Sequence, residues 1–231
     1  GNDRLFGTIG SDHIDLRGID VTDLEAIDGG RWHDTLIGSS GDDFLIGGGG
    51  RDTLSGYWGD DTYFFEPGFG RDRIIQQYQV ESSAEFPSPP EMGDDVRPID
   101  MPEEWAASPS FEIEDDSVQV GAPAFQDPGT DRILFGGAIT PDRLWFDRVG
   151  DDLRVIAGEG RDHLTIENWF RSDSDRVDRF ETKAGLRLVA DEVQLLVQAM
   201  AAYSLDDDAV SVPQSAYDAM APIIAETWHT V

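Results

Sequence analysis

The sequence predicts an all-β protein: a parallel β-roll of nonapeptide repeats, capped by a small antiparallel β unit with one or two C-terminal helices. Three observations carry this. Asp34, Asp43, Asp52 and Asp61 recur every nine residues. Five residues before each stands a glycine (Gly29, Gly38, Gly47, Gly56), and two residues after each comes a large apolar side chain (Leu36, Leu45, Leu54, Tyr63). The 25 glycines are concentrated in the first third of the chain.

Gly41, Gly50 and Gly59 stand two residues before the last three aspartates, while Trp32 breaks the pattern in the first. The frame is G-G-x-G-x-D-x-U-x, with U apolar, a calcium-binding nonapeptide. Glycine lets the backbone turn tightly with positive φ and aim several carbonyls at one point. The aspartate adds an anionic oxygen there, and the three residues after it form a short strand with U pointing inward. Two repeats complete one coil, so Asp34 is to lie over Asp52 and Asp43 over Asp61.

Calcium takes about six to eight oxygens, more than one turn supplies, so the ion is expected between adjacent turns. The candidate ligands are the carboxylates of Asp34, Asp43, Asp52 and Asp61. Backbone carbonyls of Gly29, Arg31, Gly38, Ser40, Gly41, Gly47, Gly49, Gly50, Gly56, Trp58 and Gly59 complete them, and several Ca2+ ions are implied. The thin inner row of U residues would not hold without metal, so folding and binding should be one event. A single Gly-Asp pair would mark only a solvated turn. Four in register, each with its glycine and its apolar residue, point to calcium.

The pattern extends further. Asp3 and Asp12, followed by Leu5 and Ile14 and with Gly7 and Gly10 in frame, join the candidate ligands. Residues 16–28 depart from the frame and are expected to bulge out. Gly68, Gly70, Asp72 and Ile74 make a looser repeat, eleven rather than nine residues after Asp61, which adds Asp72. Gly129, Asp131 and Ile133 suggest another.

Charge narrows the choice of partner. Against 47 acidic residues stand 17 basic ones, a formal net charge of −30. A chain this acidic repels itself when compact, so a cation must neutralise it or much of it stays disordered. Nucleic acid is excluded, because phosphate binding needs a basic stripe. An anionic membrane surface is disfavoured for the same reason. There is no cysteine, hence no disulfide or thiolate metal site. No apolar run is long enough to span a bilayer and no N-terminal signal peptide is visible. The chain begins inside a patterned region and reads as a fragment, and a monomer is expected.

The sequence divides into four parts. Residues 1–75 are the β-roll. Residues 76–128, rich in Pro, Ser and acid, read as an inserted acidic loop. Asp94, Asp95, Glu103, Glu104, Asp115 or Asp116 could hold extra calcium there, although a solvated loop is the simpler reading. Asp127-Pro128 reads as an ordinary turn. Residues 129–190 are a β-rich capping flank, with LWFDRV and LRVIAG forming a hairpin about Gly150-Asp151-Asp152. HLTIENWF, RVDRFET and LRLV continue its sheet, with a turn at Gly158–Asp162. Trp145, Phe146, Ile166, Trp169, Phe170 and Phe180 form its core. Residues 191–231 are a helical tail: a helix over 191–203 with Val193, Leu196, Val197 and Met200 on one face, then a stripe of Tyr217, Met220, Ile224 and Trp228 that Pro222 should kink or restart.

The core repeats GSSGDDFLI, GGGGRDTLS and GYWGDDTYF resemble the RTX (repeats-in-toxin) proteins of Gram-negative bacteria. ITPDRLWFDRVGDDLRVIAGEGRDHLTIENWF, DRVDRFETKAGLRL and VQLLVQAMAAY resemble the C-terminal flank of many members, adenylate cyclase toxins among them. The resemblance implies a parallel β-roll, calcium-triggered folding outside the cell and export by type I secretion machinery, with an uncleaved signal in the C-terminal tail. It does not indicate what a parent protein does.

No enzyme motif is present: the four histidines show no paired metal spacing, and neither H-E-x-x-H nor G-x-S-x-G occurs. Any catalytic activity of a parent protein would lie upstream of Gly1. An adhesin-type module recognising a host surface, glycan or partner protein is the alternative, and self-cleavage at Asp127-Pro128 a remote third.

Overall fold

The computed structural model describes residues 3–19, 24–76, 129–158, 162–203 and 212–230, apart from the side chains of Asp3 and Glu25. Through the repeats the chain alternates short strands with turns: β1 (Asp3–Phe6), β2 (His13–Asp15), β3 (Leu24–Asp28), β4 (Arg31–Trp32), β5 (Thr35–Ile37), β6 (Phe44–Ile46), β7 (Gly49–Gly50), β8 (Thr53–Ser55), β9 (Thr62–Phe65) and β10 (Arg71–Ile74). Successive long strands go to opposite sheets. β1, β3, β6 and β9 pair in parallel in one, and β2, β5, β8 and β10 in the other.

This alternation stacks the apolar residue of every second repeat. Leu5, Ile27, Leu45 and Tyr63 lie in one register line, and Ile14, Leu36, Leu54 and Ile74 in the other. From Ile27 onward in the first line and Leu36 onward in the second, these side chains are fully buried. Each contributes roughly 1.5–3 kcal/mol by leaving water. β4 and β7 form a small third sheet at one turn edge, with Trp32 opposite Gly50. There a Cβ on Gly50 would lie 1.5 Å from the Trp32 carbonyl oxygen, so this close approach admits only glycine. Trp32 itself takes a glycine place with φ +92°, a strained conformation for a bulky residue.

The segment expected to bulge out contributes instead a strand. β3 sits between β1 and β6, and Ala26 and Ile27 are buried in it. Gly18 turns the chain ahead of β3 with φ +70°, and Asp12 and Asp34 are neighbours although 22 residues apart.

Past the undescribed stretch the roll resumes. β11 (Arg132–Phe135) pairs in parallel with β9, placing Ile133 beside Tyr63 and Phe135 beside Phe65. Then come β12 (Leu144–Val149), β13 (Asp152–Ala157), β14 (Asp162–Ile166), β15 (Arg179–Thr182) and β16 (Leu186–Val189). β12 and β13 form an antiparallel hairpin turned at Gly150 (φ +65°). The later strands do not continue one sheet, as the sequence reading had it. β14 joins β13 antiparallel but also joins β10 in parallel, while β15 pairs in parallel with β11 in the opposite sheet. The register explains the split: Ile166 extends the Leu54–Ile74 line and Phe180 extends the Tyr63–Ile133 line. Burial is satisfied by continuing both stacks.

Helix α1 (Ala190–Met200) buries Val193, Leu196, Val197 and Met200. Helix α2 (Gln214–Thr227) buries Tyr217, Met220 and Ile224 and runs through Pro222 without a break, contrary to the expected restart. Its terminal strand β17 (His229–Thr230) pairs with β16. Phe180 joins roll to flank: its ring lies 6.5 Å from Phe135, 5.4 Å from Phe146 and 5.8 Å from Trp169. Among the described residues no helix is long and apolar enough to cross a membrane. The candidate calcium residues of 77–128 and the Asp127-Pro128 bond lie outside the described residues, as do three residues of the turn expected at Gly158–Asp162.

Candidate metal centre

Because each aspartate directly precedes its strand, or in the case of Asp72 lies near its start, the strand register also stacks the aspartates. In the first row the backbone N–H of Asp12 donates to Asp34 Oδ1 (2.8 Å), that of Asp34 to Asp52 Oδ1 (2.9 Å), and that of Asp52 to Asp72 Oδ1 (2.9 Å). In the second row Asp43 donates to Asp61 Oδ1 (2.9 Å), Asp61 to Asp131 Oδ1 (2.9 Å) and Asp131 to Asp178 Oδ2 (2.7 Å). One carboxylate oxygen of each inner member is thus fixed by the neighbouring coil, which orients the other.

That second oxygen distinguishes the sites. Asp34 Oδ2, Asp52 Oδ2 and Asp72 Oδ2 are buried and accept no hydrogen bond. Asp43 Oδ2 accepts from the N–H (2.6 Å) and hydroxyl (3.1 Å) of Ser39, as Asp12 does from Thr8. Asp34, Asp43, Asp52, Asp61, Asp72 and Asp131 are all buried. An ionised carboxylate held this way costs several kcal/mol unless a cation or donors compensate. Burial first, and then neighbouring carboxylates, push Asp61 up to about 9 and Asp72 up to about 8. Burial likewise lifts Asp131 to about 7 and Asp52 to about 6, and raises Asp34 and Asp43.

Backbone carbonyls meet these carboxylates at the glycines. The point a Cβ would occupy on Gly38 lies 2.5 Å from Asp43 Oδ2 and 2.4 Å from the Gly56 carbonyl oxygen of the next coil. At Gly29 the same point lies 2.7 Å from Asp34 Oδ2 and 2.9 Å from the Gly47 oxygen. The carbonyls of Gly41, Gly50 and Gly59 point the other way, against Gly59, Gly70 and Gly129 of the following coils. Ser40 and Trp58 lie in the turns, Arg31 in β4 and Gly49 in β7. Asp3 falls in β1 at an irregular register with Leu24, and its side chain lies outside the described residues.

Among the described residues no three His, Cys, Asp or Glu side chains converge on a point. A site here consists of one or two carboxylates with peptide carbonyls. This all-oxygen, hard donor set suits calcium, and the orphaned Oδ2 atoms fit a cation between coils.

Two aspartates that sequence reasoning passed over also take part. Asp178 extends the second row, and its only local signal is Phe180 two residues on, the D-x-U half of the frame. Asp162, in GEGRDHL, imitates the frame more fully, yet its register is displaced by two residues, since Ile166 and not Leu164 aligns with Ile74. Its carboxylate accepts instead from the N–H groups of Gly68 (2.6 Å) and Gly70 (3.1 Å), closing the turn stack.

Comparison with protein-family models gives two matches. Residues 1–18 and 28–64 match the RTX calcium-binding nonapeptide repeat (4 copies), and residues 152–188 match the haemolysin-type calcium binding protein related domain. No curated protein matches the chain. The aspartate rows and these two matches together identify an RTX, haemolysin-type calcium-binding repeat block.

Proposed function

We propose that this chain is a calcium-dependent folding and export module of a larger extracellular protein. The observation that carries the reading is the set of buried, donor-free Oδ2 atoms of Asp34, Asp52 and Asp72, stacked at coil spacing beside glycine carbonyls. Calcium would be held there by those aspartates with Asp43 and Asp61 and by carbonyls of the flanking glycines. The ions would supply positive charge between coils that otherwise repel. RTX repeats are a non-catalytic family, which supports a role in folding.

The reading divides the chain into the roll (1–75), an acidic insertion (76–128), a capping flank (129–190) and a helical tail (191–231). The antiparallel β12–β13 hairpin and the antiparallel β15–β16–β17 edge support the cap, because they end the parallel stacking with strands that cannot seed another coil. With calcium scarce inside a Gram-negative cell, the repeats would stay unfolded and pass a type I exporter. The tail would carry the export signal, and external calcium would then fold the monomer.

A calcium titration followed by far-ultraviolet circular dichroism, with magnesium as control, tests the first part. A cooperative coil-to-β transition with calcium alone is the expected result, and a spectrum already folded in chelator and unmoved by calcium would overturn it. Export is tested by secretion of the chain from cells carrying a type I system, with and without residues 191–231. Equal secretion of both would remove the signal from the tail.

A further inference from the structure

The second row ends in a way that the first does not. Asp131 Oδ2, the counterpart of the donor-free oxygens of Asp34, Asp52 and Asp72, accepts a hydrogen bond from the side-chain amide of Gln76. The orientation of that amide is fixed by its neighbours. The Gly56 N–H donates to the Tyr63 hydroxyl oxygen (2.8 Å), so the Tyr63 proton goes to Gln76 Oε1 (2.8 Å). The Gln76 NH2 must then face Asp131, with the Arg176 carbonyl oxygen at 3.4 Å. Carboxylate and carbonyl are acceptors only, which leaves one assignment.

From this geometry we infer that Gln76 closes the Asp131 position of the second row to metal. Its NH2 hydrogens stand where a cation would stand at Asp34, Asp52 and Asp72, and Asp131 holds no calcium. The inference rests on the calcium reading above and adds to it which aspartates are excluded. An amide NH2 presents only positive hydrogens and has no lone pair, so it satisfies the carboxylate and repels a cation at the same point. The Ser39 hydroxyl at Asp43 and the Thr8 hydroxyl at Asp12 differ, because a hydroxyl rotates and can offer its oxygen to a metal. Gln76 is further held by Tyr63, which is wholly buried, so its amide cannot swing aside without stranding the tyrosine proton. Asp131 thus keeps the row's backbone bonds, accepting from Asp61 and donating to Asp178, and serves as a structural link in the row.

The experiment counts bound ions by native mass spectrometry of the full chain at saturating calcium, with circular dichroism as a folding check. The Asp52→Asn variant is expected to lose at least one ion. Asp131→Asn is expected to keep the parent count, and Gln76→Glu, which sets a second carboxylate beside Asp131, to gain one. Loss of an ion from Asp131→Asn would overturn the inference, as would an unchanged count in Gln76→Glu. If Asp131→Asn does not fold, the Gln76→Glu count decides alone. A parent chain that binds no calcium would instead remove the calcium reading itself, a result distinguishable from either.

Discussion

The backbone amide of Asp61 donates 2.9 Å to the carboxylate of Asp131, seventy residues further along the chain. The pairing of β9 with β11 shares this register. Residues 77–128 are therefore inserted between two consecutive coils of one roll. Gln76 and Asp131 bond directly, so the two ends of the insertion lie side by side. Replacing 77–128 by a flexible loop of about six residues, an ordinary connection length, is expected to leave the calcium midpoint of the β transition unchanged within about twofold. A chain that no longer responds to calcium after this replacement would show that the insertion belongs to the folding unit.

Gly38 is a position where a single methyl group would strike two candidate ligands at once. Its Cβ would fall within 2.5 Å of both the Asp43 carboxylate and the Gly56 carbonyl, so Gly38→Ala must push apart two oxygens that belong to different coils. Overpacking of this kind costs about 1–3 kcal/mol. Because the displaced groups are candidate ligands, the loss should appear as a calcium midpoint raised about fivefold to a hundredfold. Gly18→Ala is the control: nothing lies within 4 Å of its Cβ, and it should leave the calcium midpoint near the parent value even though its φ of +70° strains the turn.

The roll and its aspartate rows were legible because the nonapeptide is a local code. Spacing alone places Asp34 against Asp52 and Leu36 against Leu54, and no distant partner is needed to fix them. What sequence reasoning missed depends on register between segments far apart. Ile27 takes the apolar place without a frame glycine before it, so β3 carries no local sign of being a coil. Asp162 carries the sign but is shifted by two residues, because the Ile74–Ile166 contact sets the register. Gln76 has no motif at all, and its role exists only because Tyr63 and Asp131 meet across the stack.

Phe180 tests whether roll and flank share one core. It is fully buried and its ring contacts Phe135 of the roll and Phe146 and Trp169 of the flank. Phe180→Ala should cost about 3–5 kcal/mol by the usual cavity penalty for a buried aromatic. If the two parts fold as one, thermal melting of the calcium-loaded variant remains a single transition at lower temperature. Two separated transitions, with only one displaced, would mean that they fold independently.

The pH dependence follows from the lifted carboxyls. Asp61 titrates at about 9, Asp72 at about 8, Asp131 at about 7 and Asp52 at about 6 in the metal-free fold, against an ordinary value of 3.8. A raised carboxyl pKa means that the folded chain binds protons that the unfolded chain does not. Stability of the metal-free fold therefore increases as pH falls from about 9 towards 3.8 and levels off below that. Calcium must displace the protons of Asp61, Asp72 and Asp52, so metal and proton compete for those oxygens. Between pH 8 and pH 5.5 the calcium midpoint is expected to rise about tenfold or more, while the calcium-free protein gains β signal. Calorimetry in buffers of different ionisation heat should show net proton release on binding, greater at pH 6 than at pH 9. A midpoint independent of pH, with no proton released, would mean that these aspartates stay ionised without metal and that burial does not control them.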